Sequence, residues 1–247
     1  MDTDFSDDIE RKLLPWGFWA TIGFSFLVIV VHMVVGIAFV VVANIHRPDI
    51  DLDSLGSNGL FLAITTIVSM PLVILVSLLF AKLRKRLSIK EYFCLYSPGK
   101  HQYIKWILGL LVFSLCSDGL SVLLGKPIIP EFMVHVYRTA LFTPLLWLAL
   151  IIAAPLSEEV IFRGFLFKGI ENSRIGGTGA ILISSLGWAA LHVQYDLYGI
   201  ATVFVGGLLL GIARLKSQSI YVPIIMHMVW SLIAIIQTAI YVKMVLT

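Results

Sequence analysis

Apolar residues run along this chain in long blocks. Stretches free of Asp, Glu, Lys and Arg cover 13–46, 54–81, 106–117 with 119–125, 139–157, 175–195, 197–213 and 217–242. A bilayer core about 30 Å thick is crossed by roughly 20 apolar residues in a helix. The blocks therefore predict seven spans, near 17–43, 60–81, 104–124, 141–168, 178–195, 197–213 and 220–242. Asp118 interrupts the third, and the sixth is short. An eighth membrane segment within 125–138 is an alternative, but Pro127 and Pro130 favour a loop or an interfacial stretch there. The expected fold class is all-α, a polytopic transmembrane helical bundle.

Composition agrees with the pattern. Hydrophobic residues make up 59% of the chain and charged residues 13%, against about 25% charged in a soluble domain. The net charge of +3 is dispersed, and no basic arm suggests nucleic acid. Cys94 and Cys116 form neither a metal-ligand nor a disulfide pattern. The N-terminus, MDTDFSDDIERK, is acidic and polar, so the first apolar block is expected to stay as a span and not be cleaved as a signal.

Loop charge sets the expected orientation. The 82–105 connection carries Lys82, Arg84, Lys85, Arg86, Lys90, Lys100 and Lys105 against Glu91, which makes it cytoplasmic by the positive-inside rule. Asp49, Asp51 and Asp53 suit the opposite side, and Lys168, Arg174, Arg214 and Lys216 return to the cytoplasmic one. The chain thus divides into a cytoplasmic tail (1–16), N-terminal transmembrane helices with the basic loop (17–138) and a core (139–247). The expected location is the cell membrane, with the N-terminus inside. The basic connection is expected to lie along the headgroups, with Tyr92, Phe93, Tyr96 and Trp106 at the interface.

Candidate chemistry sits between 155 and 231. In APLSEEVIFRGFLF, Glu158, Glu159 and Arg163 interrupt an apolar helix. A charge at the bilayer centre costs about 2.5–3.5 kcal/mol on insertion scales, so such residues are retained for a role. Glu159 and Arg163 are i and i+4 with the acid first, the favourable order for a pair. Glu158 points about 100° away and has no partner on its own helix. Glu158 lies 13 residues before Glu171, and His192 lies 14 residues after Thr178. At 1.5 Å per residue both stand roughly 20 Å from the loop that joins their helices, hence at one depth. His227 enters from the same side on the last helix and shares a face with Ser231, as Trp188 does with His192. Gly206, Gly207 and Gly211 give the sixth helix a small-residue face suited to close packing.

These residues resemble a known signature. EEVIFR matches an EExxxR motif, WAALH an aromatic-xxx-His motif, and HMVWS stands where an HxxxN motif is expected. In that order they resemble the CPBP family of CAAX-type prenyl-protein endopeptidases and bacteriocin-processing or abortive-infection membrane proteins. The resemblance covers about 150–235, and LSIKEYF is similar to the family's entry into its core. It implies an intramembrane endopeptidase acting on a peptide or lipidated protein in the bilayer. Glu158 would activate a water as general base, His192 would hold or polarise that water, and His227 would stabilise the oxyanion. Glu159, Arg163, Trp188 and Ser231 would support the site. The resemblance departs at Ser231, where the family usually has Asn. Glu158, His192 and His227 also form a donor set for zinc with one open position, although no HExxH occurs and a metal-free glutamate mechanism stands beside it. Two other classes remain open: a non-catalytic scaffold or self-immunity protein on the same fold, and a proton-coupled transporter using Glu158, His192 and Asp118. Oligomeric state is not legible.

Overall fold

The computed structural model describes residues 15–46, 55–84 and 87–245. The tail up to residue 14, Asp49, Asp51, Asp53, Lys85 and Arg86 lie outside the described residues, and with them part of the charge argument for orientation.

Six helices are long and apolar enough to cross a membrane: α1 (Phe18–His46), α2 (Gly59–Leu83), α4 (Lys100–Leu123), α6 (Thr143–Glu171), α8 (Leu197–Ser217) and α9 (Tyr221–Val245). Between them lie three shorter helices, α3 (Ile89–Tyr92), α5 (Glu131–Thr139) and α7 (Gly176–Ala189). No strand occurs among the described residues. The chain is a helical membrane bundle turned inside out relative to a soluble one. Glu159, Arg163, Ser184, Ser185 and Arg214 are fully buried, while Leu115, Leu123 and Leu186 on neighbouring helices are exposed. That arrangement suits hydrocarbon as solvent, because polar groups then find partners only inside the bundle.

The fifth expected span is corrected. α7 has 14 residues, about 21 Å at 1.5 Å per residue, and stops short of a full crossing. The chain then turns through 190–196 before Asp196 caps α8, its carboxylate accepting from the Gly199 N–H at 2.8 Å. Lys126 pairs with the same carboxylate at 3.1 Å. The 125–138 stretch holds the nine-residue α5, with Pro130 as its N-cap, and no further span.

The basic connection is also corrected in part. Tyr92, Phe93 and Trp106 are buried in the packed interior, and of the four expected interfacial aromatics Tyr96 is exposed. Ser88 and Glu91 close a capping box on α3, and Cys94 at φ +50° turns the chain back on itself. This drives Phe93 against Gly164, where a Cβ would come within 2.6 Å of its ring. Tyr92 stacks on Phe165 at 5.3 Å. The connection therefore wedges α6 from the basic side.

α6 is the axis of the core. It contains two π-helical segments, Ala149–Ala153 and Val160–Leu166, on either side of the turn Ala154–Glu159. Pro155 has no N–H to give the regular ladder, and such wide turns concentrate at functional sites. Both glutamates ride on the short α-helical stretch between them. Around this axis Val28 (α1), Val73 (α2), Leu110 (α4), Phe162 (α6), Trp188 (α7) and Leu210 (α8) form one apolar cluster.

Candidate active site

The charged residues of α6 take different partners. Arg163 donates through Nη1 to Glu159 Oε1 at 2.8 Å, the i,i+4 pair expected from spacing, with both side chains fully buried. Arg163 Nη2 donates to the Gly207 carbonyl of α8 at 3.2 Å. Its Cζ lies 4.7 Å from the centre of the Trp188 ring. Arg214 in turn donates through Nε to the Arg163 carbonyl at 3.0 Å. A buried guanidinium is costly unless its donors are used; Nη1 and Nη2 of Arg163 are used, while its Nε has no partner among the described residues. Gly207 leaves little room for a side chain: a Cβ would come within 3.2 Å of Arg163 Nη2 and of the Trp188 ring, and within 3.1 Å of Ser185.

Glu159 does more than its spacing suggested. The same Oε1 accepts from His227 Nδ1 of α9 at 2.9 Å. That proton fixes the ring, because a carboxylate only accepts. His227 Nε2 then faces Glu158, 4.0 Å from Oε2. Glu159 thus links the helix-internal pair to the last helix.

Glu158 is the less enclosed acid, its side chain 30% exposed against 0% for Glu159. Its Oε2 accepts from the Trp188 indole at 2.5 Å. One turn beyond α7, His192 Nδ1 lies 2.9 Å from the Trp188 carbonyl. A carbonyl cannot donate, so Nδ1 carries the proton and Nε2 keeps its lone pair. The His192 and His227 rings both stand edge-on to Trp188, each with centroids 5.0 Å away. Trp188 therefore spaces the two histidines around Glu158. Tyr195 stacks on His192 at 5.9 Å and meets Phe132 of α5 edge-on. α5 thereby covers the far side of the His192 turn.

The structure gathers Glu158, Glu159, Arg163, Trp188, His192 and His227 into one cluster. Ser231 shares the His227 face of α9 and is half-buried, with no side-chain hydrogen bond among the described residues. Asp118 is elsewhere: Gln237 Nε2 donates to its carboxylate at 2.7 Å, about 27 Å along α4 from its basic end. One residue escaped the sequence reading. It is His32 of α1, whose Nδ1 lies 2.9 Å from the Ser69 hydroxyl of α2. Its signal was an ionisable residue in the middle of an otherwise apolar span.

Comparison with known proteins follows the geometry. Residues 140–233 match the Rce1-like family, the type II CAAX prenyl endopeptidases. The matched segment runs from the end of α5 to Ile233 and takes in Glu158, Glu159, Arg163, Trp188, His192 and His227, while His32 lies outside it. Over 85 residues the chain is 40% identical to an uncharacterized 24.3 kDa protein of Escherichia coli, covering 33% of this chain and 38% of that protein. Over 116 residues it is 28% identical to an uncharacterized protein of Mycoplasma capricolum, covering 44% of this chain and 33% of that protein. The chain thus spans about a third of the length of the curated relatives it matches. No solved structure matches it significantly.

A zinc ion was tested against the donors. Among the described residues no three His, Cys, Asp or Glu side chains converge to hold a metal. As arranged, the set does not fit zinc, and no step below runs through a metal.

Proposed function

We propose that this protein is an intramembrane endopeptidase in which Glu158 activates the water that cleaves a peptide bond. The observation that carries the reading is the contrast between adjacent glutamates. Glu159 is sealed, with Arg163 and His227 both bonded to its Oε1 and no partner on Oε2 among the described residues, whereas Glu158 is partly open and held by one indole donor. A partly desolvated carboxylate fixed by one hydrogen bond keeps lone pairs for a water, as general base catalysis requires.

The steps follow from the donors. A water held between Glu158 and His192 Nε2 loses a proton to Glu158 as its oxygen attacks the scissile carbonyl. The negative charge that develops on the carbonyl oxygen needs a donor, and His227 Nε2 is the group on the opposite side of Glu158. Its Nδ1 proton is committed to Glu159, so Nε2 can donate only when the ring is doubly protonated. Ser231, one turn along α9, supplies a hydroxyl donor in place of the usual amide. The substrate class is a peptide or lipidated protein reaching the site within the bilayer of the cell membrane, with the 82–105 connection on the cytoplasmic side.

The test uses purified protein in detergent, a peptide library, and the Glu158→Ala and His192→Ala variants. The unaltered protein is expected to cleave library members and both variants to lose that cleavage. Cleavage that persists in both would remove the catalytic assignment. A second reading, a binding scaffold such as a self-immunity protein, rests on Ser231. It wins if a host phenotype survives while even the unaltered protein, and its Ser231→Asn variant, cleave nothing.

A further inference from the structure

α1 lies outside the Rce1-like segment, yet it brings an ionisable side chain to the depth of Glu158. The two antiparallel helices touch where Gly169 of α6 meets Thr21 of α1, and a Cβ on Gly169 would collide with the Thr21 side chain. From that contact His32 is eleven residues up α1 and Glu158 is eleven residues up α6. Both therefore stand about 16 Å above it at 1.5 Å per residue. Thr21, Ser25 and Val28 form the buried stripe of α1, and His32 continues that stripe one turn beyond Val28.

The state of the ring can be read from its partner. His32 Nδ1 lies 2.9 Å from the Ser69 hydroxyl of α2, and that hydroxyl donates its only proton to the Thr66 carbonyl at 3.2 Å. With that proton on Thr66, Ser69 accepts from His32 in the tautomer that has the hydrogen on Nδ1 and the lone pair on Nε2. Nε2 has no partner among the described residues, and His32 is exposed. An imidazole oriented by one nitrogen, with the other free, is the arrangement of a group that carries protons.

We propose that His32 delivers the proton to the leaving nitrogen, an assignment that rests on the peptidase reading above. Water gives one proton to Glu158 as its oxygen bonds to the carbonyl carbon. Glu158 passes that proton to His32 Nε2, directly or over one water. When the tetrahedral adduct collapses and the C–N bond breaks, His32 gives the proton to the departing amine. Glu158 and His32 return to their starting forms, and the products are a carboxylic acid and an amine.

The experiment compares the unaltered protein with His32→Asn, whose amide N–H can replace Nδ1 as donor to Ser69 but carries no mobile proton. The probes are a fluorogenic peptide from the library screen and its analogue with an ester oxygen at the scissile nitrogen. An alcohol departs far more readily than an amine without prior protonation. His32→Asn is expected to lower peptide cleavage by about 10²-fold or more, the usual span for a general acid, and to leave ester cleavage within a few-fold. Equal loss on both probes would make His32 structural and overturn the assignment, as would unchanged peptide cleavage. If the unaltered protein cleaves neither probe, the peptidase reading itself fails and the assignment goes with it.

Discussion

The Trp188 indole N–H points at the Glu158 carboxylate, with Nε1 2.5 Å from Oε2. One side chain thereby ties α7 to the open acid of α6 while its ring separates His192 from His227. Trp188→Phe keeps most of the ring and removes the donor. A hydrogen bond to a charged group contributes about 1.5–3 kcal/mol, so kcat on a cleaved peptide is expected to fall roughly 10- to 100-fold with KM little changed. Steady-state kinetics in detergent checks this, and an unchanged kcat would show that the indole does not orient the base.

Glu159 is predicted to be structural first. Glu159→Gln leaves Arg163 buried without its counter-charge and loosens His227. Removing one partner of a buried pair costs about 3–5 kcal/mol, so the thermal midpoint should drop sharply. The Glu159→Gln/Arg163→Met double variant should be less damaged than the two single losses added together, which a double-mutant cycle measures.

Gly207→Ala should harm the site from a distance. The added Cβ meets Ser185, Arg163 and Trp188 together, all within 3.2 Å. Overpacking of this kind costs about 1–3 kcal/mol. Gly36→Ala on α1, where a Cβ finds nothing within 4 Å, is the control and should be neutral or slightly stabilising. Melting curves of the two variants should separate clearly.

What the sequence made legible was local. Glu159 and Arg163 are four apart on one helix, so helical geometry alone pairs them. Counting back to a shared loop set Glu158 level with His192, and the structure bonds Glu158 to Trp188, one turn before His192. The His227–Glu159 bond spans 68 residues, and no local rule supplies such a contact. Hydropathy overran α7, because Ala190, Leu191 and Val193 are apolar although the chain there is already turning. The burial of Tyr92 and Phe93 was hidden for a similar reason: aromatic residues beside lysines read as interfacial until Cys94 folds them back under Gly164. His32 was missed because its partner, Ser69, comes from another helix.

The central claim is that Glu158 is the base and Glu159 is not. Its most direct test is peptide cleavage by Glu158→Gln and unaltered protein in proteoliposomes, with melting curves showing both folded. The predicted result is a fall of about 10²–10⁴-fold, the range for losing a general base, at an unchanged melting temperature. A folded Glu158→Gln protein that cleaves at the unaltered rate would contradict the account.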